Sequence, residues 1–122
     1  MRGFRVWSDY WEKYATEAEL YMDGSADAVF EDDGGVPHHE NTDLVLEFDT
    51  GLKDKNGKPI YEGDITNDGN HICIIRWSEH FTEFEAVNEG EGYASDIWYV
   101  AKYGEVIGNV HEDGDLLDDT ED

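Results

Sequence analysis

The sequence predicts a mainly β, antiparallel domain, although a mixed α+β arrangement is also compatible with it. Four Asp-Gly pairs and one Asn-Gly pair occur along the chain, and such dipeptides favour hairpin turns because their residues tolerate positive φ. Between the turns lie short runs rich in β-branched and aromatic residues, at 43–48, 71–77, 81–87 and 105–110. At 122 residues with 39% hydrophobic content, the chain is long enough to bury the core of one small domain.

The first twenty residues are open to two interpretations. Aromatic and small apolar residues recur there at helical spacing: Trp7, Tyr10, Trp11, Tyr14, Ala15 and Ala18. Asp9 and Glu12 are placed like a capping box, so the periodicity favours a short helix within residues 4–18. Alternatively, residues 4–7 and 12–15 form the two strands of a hairpin around residues 8–10.

Other elements follow from local composition. Alternation in residues 71–77 predicts that Ile75 or Trp77 belongs to the core. Residues 31–43 combine a proline, a glycine pair and polar residues, which is typical of a loop. Residues 112–122 carry seven carboxylates around two leucines, so a frayed, flexible tail is expected. No internal repeat and no second domain is evident.

Residues 50–65, TGLKDKNGKPIYEGDI, contain the most explicit turn chemistry of the chain. They read as a strand, a tight turn at Asn56-Gly57, and a strand that begins near Pro59, followed by a second turn at residues 62–64. The three lysines of the segment, Lys53, Lys55 and Lys58, are expected to stay in water. The spacing fits neither a calcium loop nor a phosphate loop. The segment is therefore interpreted as scaffold.

Three segments together resemble one known family. Residues 50–65, the closing run YGEVIGNVHEDGDLL (103–117) and the opening FRVW (4–7) are similar, in this order, to proteins of the YopX family of phages and prophages. The resemblance covers residues 4–7, 44–65 and 103–117, and it identifies residues 1–122 as a single YopX-like domain. It implies a mainly β fold with a small SH3-like roll or barrel in the C-terminal part. It also implies a hairpin at residues 4–16, and it implies no established activity.

Charge is the strongest global feature of the composition. The chain has 31 acidic and 8 basic residues, and its formal net charge is −23. Such a surface disfavours direct binding of nucleic acid or an anionic membrane and favours basic partners. A single cysteine, Cys73, excludes an internal disulfide. Because the chain also has no apolar leader-like segment, we expect a cytoplasmic protein in the host cytosol.

These features lead to a functional hypothesis of a non-enzymatic inhibitor encoded by a phage. Duplex DNA carries about one charge per 1.7 Å of axis, and an acidic protein can imitate that density. We therefore expect a partner with a basic, nucleic-acid-binding surface, such as a CRISPR or restriction protein of the host. The alternative is an accessory protein of phage replication whose acidity is incidental. The predicted contact patches are Glu31, Asp32 and Asp33; Glu83, Glu85, Glu89 and Glu91; and, as the weakest candidate, the tail from residue 112.

A second hypothesis is a zinc-binding protein. His71 and Cys73 are two residues apart on a predicted strand and therefore share a face, and His38 and His39 could complete a tetrahedral set. The spacing matches no standard zinc motif. No nucleophile with a partner base is recognised, so no catalytic residue is assigned.

Overall fold

The computed structural model describes residues 3–21, 26–30, 38–39 and 44–121. Within what the sequence predicts as one domain, these residues form two compact units. The N-terminal unit is Gly3–Phe48, and the C-terminal unit includes Asp49–Asp122. The described chain has far more strand than helix, and all strand pairs are antiparallel, which confirms the mainly β prediction.

The N-terminal unit contains six strands or parts of strands. They are β1 Phe4–Ser8, β2 Lys13–Tyr14, β3 Glu17–Leu20, β4 Ala26–Val29, β5 His38–His39 and the first half of β6 Leu44–Lys53. Strand β1 lies between β2 and β6, whereas β3, β4 and β5 form a separate three-stranded sheet. The N-terminal unit has a core cluster of three buried residues, Val6, Ala28 and Phe30. The partly buried side chains of Phe4, Ala15, Leu44 and Leu46 pack against it.

The start of the chain is therefore a hairpin, and the helix favoured by periodicity is wrong. Trp7 lies directly opposite Tyr14 across the hairpin, and their rings meet edge to face at 5.0 Å. The seven-residue spacing that resembles two helical turns is thus a cross-strand aromatic pair, which stabilises a sheet instead. Residues 38–39, predicted to lie in a loop, form a short strand paired with β4. The rest of the predicted loop 31–43 lies outside the described residues.

The C-terminal unit is built around one five-stranded sheet. Besides the second half of β6, the strands of this unit are β7 Pro59–Tyr61, β8 Asp64–Asn67, β9 Ile72–Ser78, β10 Glu83–Asn88, β11 Tyr93–Asp96 and β12 Glu105–Asn109. Of these, β7 pairs with β6 and is not part of the five-stranded sheet. Its helices are α1 Ile97–Tyr103 and α2 Val110–Asp113, with 3-10 turns at Glu89–Glu91 and Gly114–Glu121. The order β11-β10-β9-β8-β12 curls into a half-barrel. The predicted strands at 71–77, 81–87 and 105–110 are confirmed, with Ile75 buried and Trp77 40% exposed.

Residues 50–65 form the predicted scaffold, and their main partner is the closing segment. One oxygen of the buried Asp54 carboxylate accepts hydrogen bonds from the backbone N–H groups of Asn56 and Lys58, and the other accepts one from Val106. The backbone N–H of Lys55 donates to the carbonyl of Gly104 at 3.0 Å. The two segments that carry the resemblance therefore stabilise each other. Lys53, Lys55 and Lys58, which belong to residues 50–65, are exposed, as predicted.

Two of the predicted turn pairs have contrasting outcomes. Gly69, at φ +96°, lies in the connection between β8 and β9, as expected. The Asp113-Gly114 pair is instead helical, with Gly114 at φ −56°. Asn109 explains this, because its side-chain oxygen caps α2 by accepting from the N–H groups of His111 and Glu112. A 3-10 helix follows at Gly114–Glu121, and the flexibility expected for residues 112–122 stays a prediction. The pairs at 23–24 and 33–34 lie outside the described residues.

An eight-residue pattern occurs twice, although the sequence was expected to contain no repeat. Residues 7–14 read WSDYWEKY and residues 77–84 read WSEHFTEF. Each forms the loop and flanking residues of a hairpin: β1–β2 in the N-terminal unit and β9–β10 in the C-terminal unit. In both, the first residue pairs with the eighth, and the two rings meet edge to face at 5.0 Å.

Candidate functional site: an acidic surface on the C-terminal unit

The predicted acidic patch of the C-terminal unit is formed by β10 and the 3-10 turn that follows it. Glu83 and Glu85 alternate along β10 and therefore point to the same face of the sheet. Asn88 ends the strand, and its side-chain oxygen caps the turn by accepting from the N–H of Glu91 at 3.0 Å. The turn carries the other two predicted carboxylates, Glu89 and Glu91. The structure thus places all four on neighbouring positions of one unit.

Two of these carboxylates share a single arginine. Arg76 lies opposite Glu85 on the neighbouring strand. Its Nε contacts Glu85 Oε2 at 3.3 Å, and its Nη1 contacts Glu89 Oε2 at 2.9 Å. The hydrogen bond to Glu89, followed by that to Glu85, raises the pKa of Arg76 above its usual value despite partial desolvation. The centre of the patch is therefore partly neutralised by the chain itself.

Glu91 has a partner in His71, one of the predicted metal ligands. His71 Nδ1 lies 3.0 Å from Glu91 Oε1. The imidazole also stacks on the ring of Tyr93, with ring centres 3.6 Å apart and planes 13° apart. His71 is thus held between a carboxylate and an aromatic ring just before β9 begins.

Cys73 lies inside the sheet, where it is almost completely buried. Burial, with smaller contributions from the negative charges of Asp68 and Glu91, raises the pKa of its thiol to about 11. The thiol is therefore protonated at neutral pH, and a protonated thiol is a poor nucleophile. Its position is that of a small core residue.

The described residues do not test the predicted zinc set. His38 and His39 belong to β5 of the N-terminal unit, and their side chains lie outside the described part of the structure. Among the side chains that are described, no group of three or more His, Cys, Asp or Glu residues could hold a metal ion. The four-ligand set stays a prediction.

Uncompensated charge in this region lies near the β9–β10 loop. Glu79 and Glu83 are exposed, and no ion pair of either is found within the described ranges. Other carboxylates stabilise the fold. Asp54 accepts the backbone N–H groups of its turn, and Asp64 accepts the N–H of Tyr61 at 2.8 Å. Glu47 forms an ion pair with Arg5 at 2.8 Å. The remaining predicted patch, at residues 31–33, lies outside the described residues.

Sequence reasoning missed the exposed aromatic residues. The largest exposed rings include Tyr10 at 73%, Phe81 at 62% and Trp98 at 69%. Tyr10 and Phe81 lie in the loops of the two repeated hairpins, and Trp98 lies on α1. The repeated Trp-Ser-acid pattern was the available signal for Tyr10 and Phe81.

No helix in the described residues combines the length and the apolar character that spanning a lipid bilayer requires.

Comparison with known proteins identifies the family. The YopX protein family model matches residues 3–118. The crystal structure of protein EF1440 from Enterococcus faecalis is similar, with a TM-score of 0.64 and 24% identity over 96% of this chain and 98% of that one. Protein yopX from Bacillus subtilis has a TM-score of 0.59 and 20% identity, over 96% and 97% of the two chains. No curated protein matches the chain. With the family model matched from residue 3 to residue 118, the chain belongs to the YopX family.

Proposed function

We propose that this chain is a non-enzymatic binding protein that docks through its carboxylates on the basic, nucleic-acid-binding surface of a host protein. Inhibition of a defence protein of the CRISPR or restriction type is the biological role that follows. Steric and electrostatic occupation of a nucleic-acid channel requires only a folded, acidic surface, and no catalytic group.

The observation that carries the proposal is the shortage of cations within the chain. There are 31 acidic and 8 basic residues. Arg5 is already paired with Glu47, and Arg76 is already paired with Glu85 and Glu89. Most of the negative charge therefore lacks an internal counterion, and a net charge this large opposes compaction. A basic partner relieves that repulsion and gains electrostatic steering.

The state of Cys73 supports a binding role over a catalytic one. A buried thiol with a pKa of about 11 is protonated at neutral pH. Nucleophilic catalysis by cysteine requires the thiolate, which in known enzymes is favoured by a nearby cation or a helix N-terminus. Here the charges that influence the thiol belong to Asp68 and Glu91, and both disfavour the thiolate.

The experiment is capture of partners from host cell extract by the tagged protein, followed by measurement with each purified partner. We expect a nucleic-acid-binding protein whose association rate falls steeply as salt increases, because the charges that steer association are screened. Duplex DNA should compete for the same site. A partner that binds equally well at all salt concentrations and is not displaced by DNA would contradict the proposal.

The test variant carries Glu79→Gln and Glu83→Gln. It removes two exposed charges that have no ion pair in the described structure, without changing side-chain size. We expect slower association and an unchanged unfolding temperature. An association rate equal to that of the native protein would show that this part of the surface is not used.

A further inference from the structure

The loops of the two repeated hairpins have the same construction. We call residues 9–12 tip 1 and residues 79–82 tip 2. Before tip 1, Ser8 Oγ accepts a hydrogen bond from the N–H of Trp11 at 2.9 Å. Before tip 2, Ser78 Oγ accepts one from the N–H of Phe81 at 3.2 Å. Both serines are buried, so each loop is fixed to the end of its strand by a partly buried hydrogen bond.

Each tip presents a perpendicular pair of rings to solvent. In tip 1, the rings of Tyr10 and Trp11 are 5.2 Å apart with an angle of 88°. In tip 2, the rings of His80 and Phe81 occupy the same sequence positions and are 4.5 Å apart with an angle of 84°. Trp11 is 40% exposed and Phe81 is 62% exposed. Aromatic rings repeatedly placed outside a core are typical of binding surfaces.

Backbone strain occurs at the same position of both tips. Glu12 has φ +55° and Thr82 has φ +52°. This left-handed conformation is unfavourable for residues other than glycine, and it is a clear outlier for the β-branched threonine. Strain of this kind persists where the surrounding structure imposes it, and it is concentrated at functional loops. A loop that is already ordered also loses little entropy when a ligand binds.

Charge determines which ligand suits the tips. Glu12 belongs to tip 1, and Glu79 and Glu83 belong to or adjoin tip 2; all three are exposed, and the described part of the chain offers them no ion pair. A planar guanidinium stacks on aromatic faces and at the same time donates charge-assisted hydrogen bonds to carboxylates, and the compact, strongly hydrated ammonium of lysine matches this combination less well. Rings and carboxylates together therefore match arginine.

We infer that tip 1 and tip 2 are two copies of one recognition element, each of which binds an arginine side chain of an arginine-rich segment in a partner protein. The guanidinium lies against the exposed ring of Trp11 or Phe81, and the nearby carboxylates neutralise its charge. The inference rests on the proposed function, since it specifies how a basic partner is recognised. The inference states that the exposed rings of the two tips contribute to the affinity for the partner, whereas the proposed function requires only the acidic charge.

The test is a titration of ¹⁵N-labelled protein with a peptide of alternating arginine and glycine, followed by NMR. We expect amide shifts at residues 9–12 and 79–82, and no shifts with the same peptide carrying glutamine in place of arginine. Trp11→Leu should weaken binding at tip 1 about two- to fivefold, because leucine keeps an apolar side chain but removes the π face. Phe81→Leu should do the same at tip 2, and each variant should leave the other tip unchanged.

Control variants separate the outcomes. Trp98→Leu removes a ring that is 69% exposed and lies outside both tips, and it should leave peptide binding unchanged. If Trp11→Leu disturbs the spectrum as a whole, Tyr10→Leu tests the same tip with a more exposed ring. Peptide binding that the leucine variants do not weaken, or that occurs away from both tips, overturns the inference but leaves acid-driven docking intact. Absence of any arginine-dependent shift also overturns the inference, whereas the proposed function is decided by the capture experiment and by the salt dependence of the captured partner.

Discussion

Ser8 and Ser78 perform the same task in two different hairpins. Each is the last residue of its strand, each is buried, and each accepts the N–H of the residue three positions later. The bond gives the loop N–H an acceptor in place of the backbone carbonyl that it would have in a continued strand, since a backbone N–H needs a partner.

Ser8→Ala and Ser78→Ala should therefore each lower the free energy of unfolding by about 1 kcal/mol, because an N–H loses its acceptor. Urea unfolding of each variant measures the effect. Ser95→Ala is the matched control, because Ser95 Oγ is buried without a hydrogen-bond partner in the described structure. Removing it should be neutral or slightly stabilising. Equal destabilisation by all three substitutions would show that the two loop hydrogen bonds contribute nothing specific.

Gly63 lies in the second turn of residues 50–65 at φ +85°, and it is buried. Its N–H donates to the carbonyl of Ile75 and its carbonyl accepts from Val110, both at 2.8 Å. Gly63→Ala should destabilise the protein by about 1–3 kcal/mol, because the two hydrogen bonds hold the position in a left-handed conformation that is strained for a residue with a Cβ. Thermal unfolding gives the measurement. Gly114→Ala, at a helical φ with open space for a Cβ, should leave stability unchanged or slightly increased.

Asp54 makes part of the stability dependent on pH. Burial alone would raise the pKa of its carboxyl, but the N–H groups of Val106, Lys58 and Asn56, with the charge of Lys58, outweigh this and lower the pKa. A lowered folded-state pKa contributes stability that is fully present above the unfolded value of about 3.9 and is lost as pH falls through the folded-state pKa. Asp54→Asn should cost about 1.5–3 kcal/mol at pH 7, since one amide cannot satisfy three donors.

The difference in unfolding free energy between native protein and Asp54→Asn should narrow when urea unfolding is repeated near pH 3. Only the difference is informative, because protonation of the many other carboxylates changes both proteins alike. Glu79→Gln, which alters an exposed carboxylate, should show no such narrowing. A gap between Asp54→Asn and native protein that stays constant from pH 7 to pH 3 would refute this role for Asp54.

The sequence was sufficient to predict elements whose signal is local. Asn56-Gly57 and Asp68-Gly69 mark turns because positive φ is a property of the residues themselves, and Gly57 and Gly69 adopt it. The strand from residue 72 to residue 78 was predictable because its β-branched run has no competing helical period. The turn predicted at Asp113-Gly114 is absent, because the Asn109 side chain caps a helix that begins at Val110 and includes Asp113.

Features that depend on pairing across the fold were not predictable in the same way. Whether Trp7 and Tyr14 lie on one helical face or across a hairpin is decided by β6, which pairs with β1 from a distant position. The acidic patch was predicted by composition, but the sequence did not reveal that Arg76 lies opposite Glu85 and neutralises its centre. That register depends on strand pairing, which a local charge count does not contain.

Glu83 and Glu85 are two residues apart on β10, and the structure predicts different consequences of reversing their charges. Glu83 is exposed with no ion pair in the described residues, whereas Glu85 contacts Arg76. Glu83→Lys should leave stability unchanged and slow association with a basic partner several-fold, because it removes a charge that steers the encounter. Surface plasmon resonance at low and high salt measures this, and the difference from native protein should shrink at high salt.

Glu85→Lys should instead lower the free energy of unfolding. Loss of the ion pair accounts for about 0.2–1 kcal/mol. Repulsion adds to this, because the strand register places the introduced ammonium group directly opposite Arg76. Restoring an opposite pair with Arg76→Glu in the same chain should recover part of that loss, while the double variant keeps the net charge of the native protein. Partner binding by the double variant should then be close to native, since its surface charge is conserved. If Glu83→Lys and Glu85→Lys have equal effects on stability and on association, then the pairing of Arg76 does not divide this surface into a structural and a binding part.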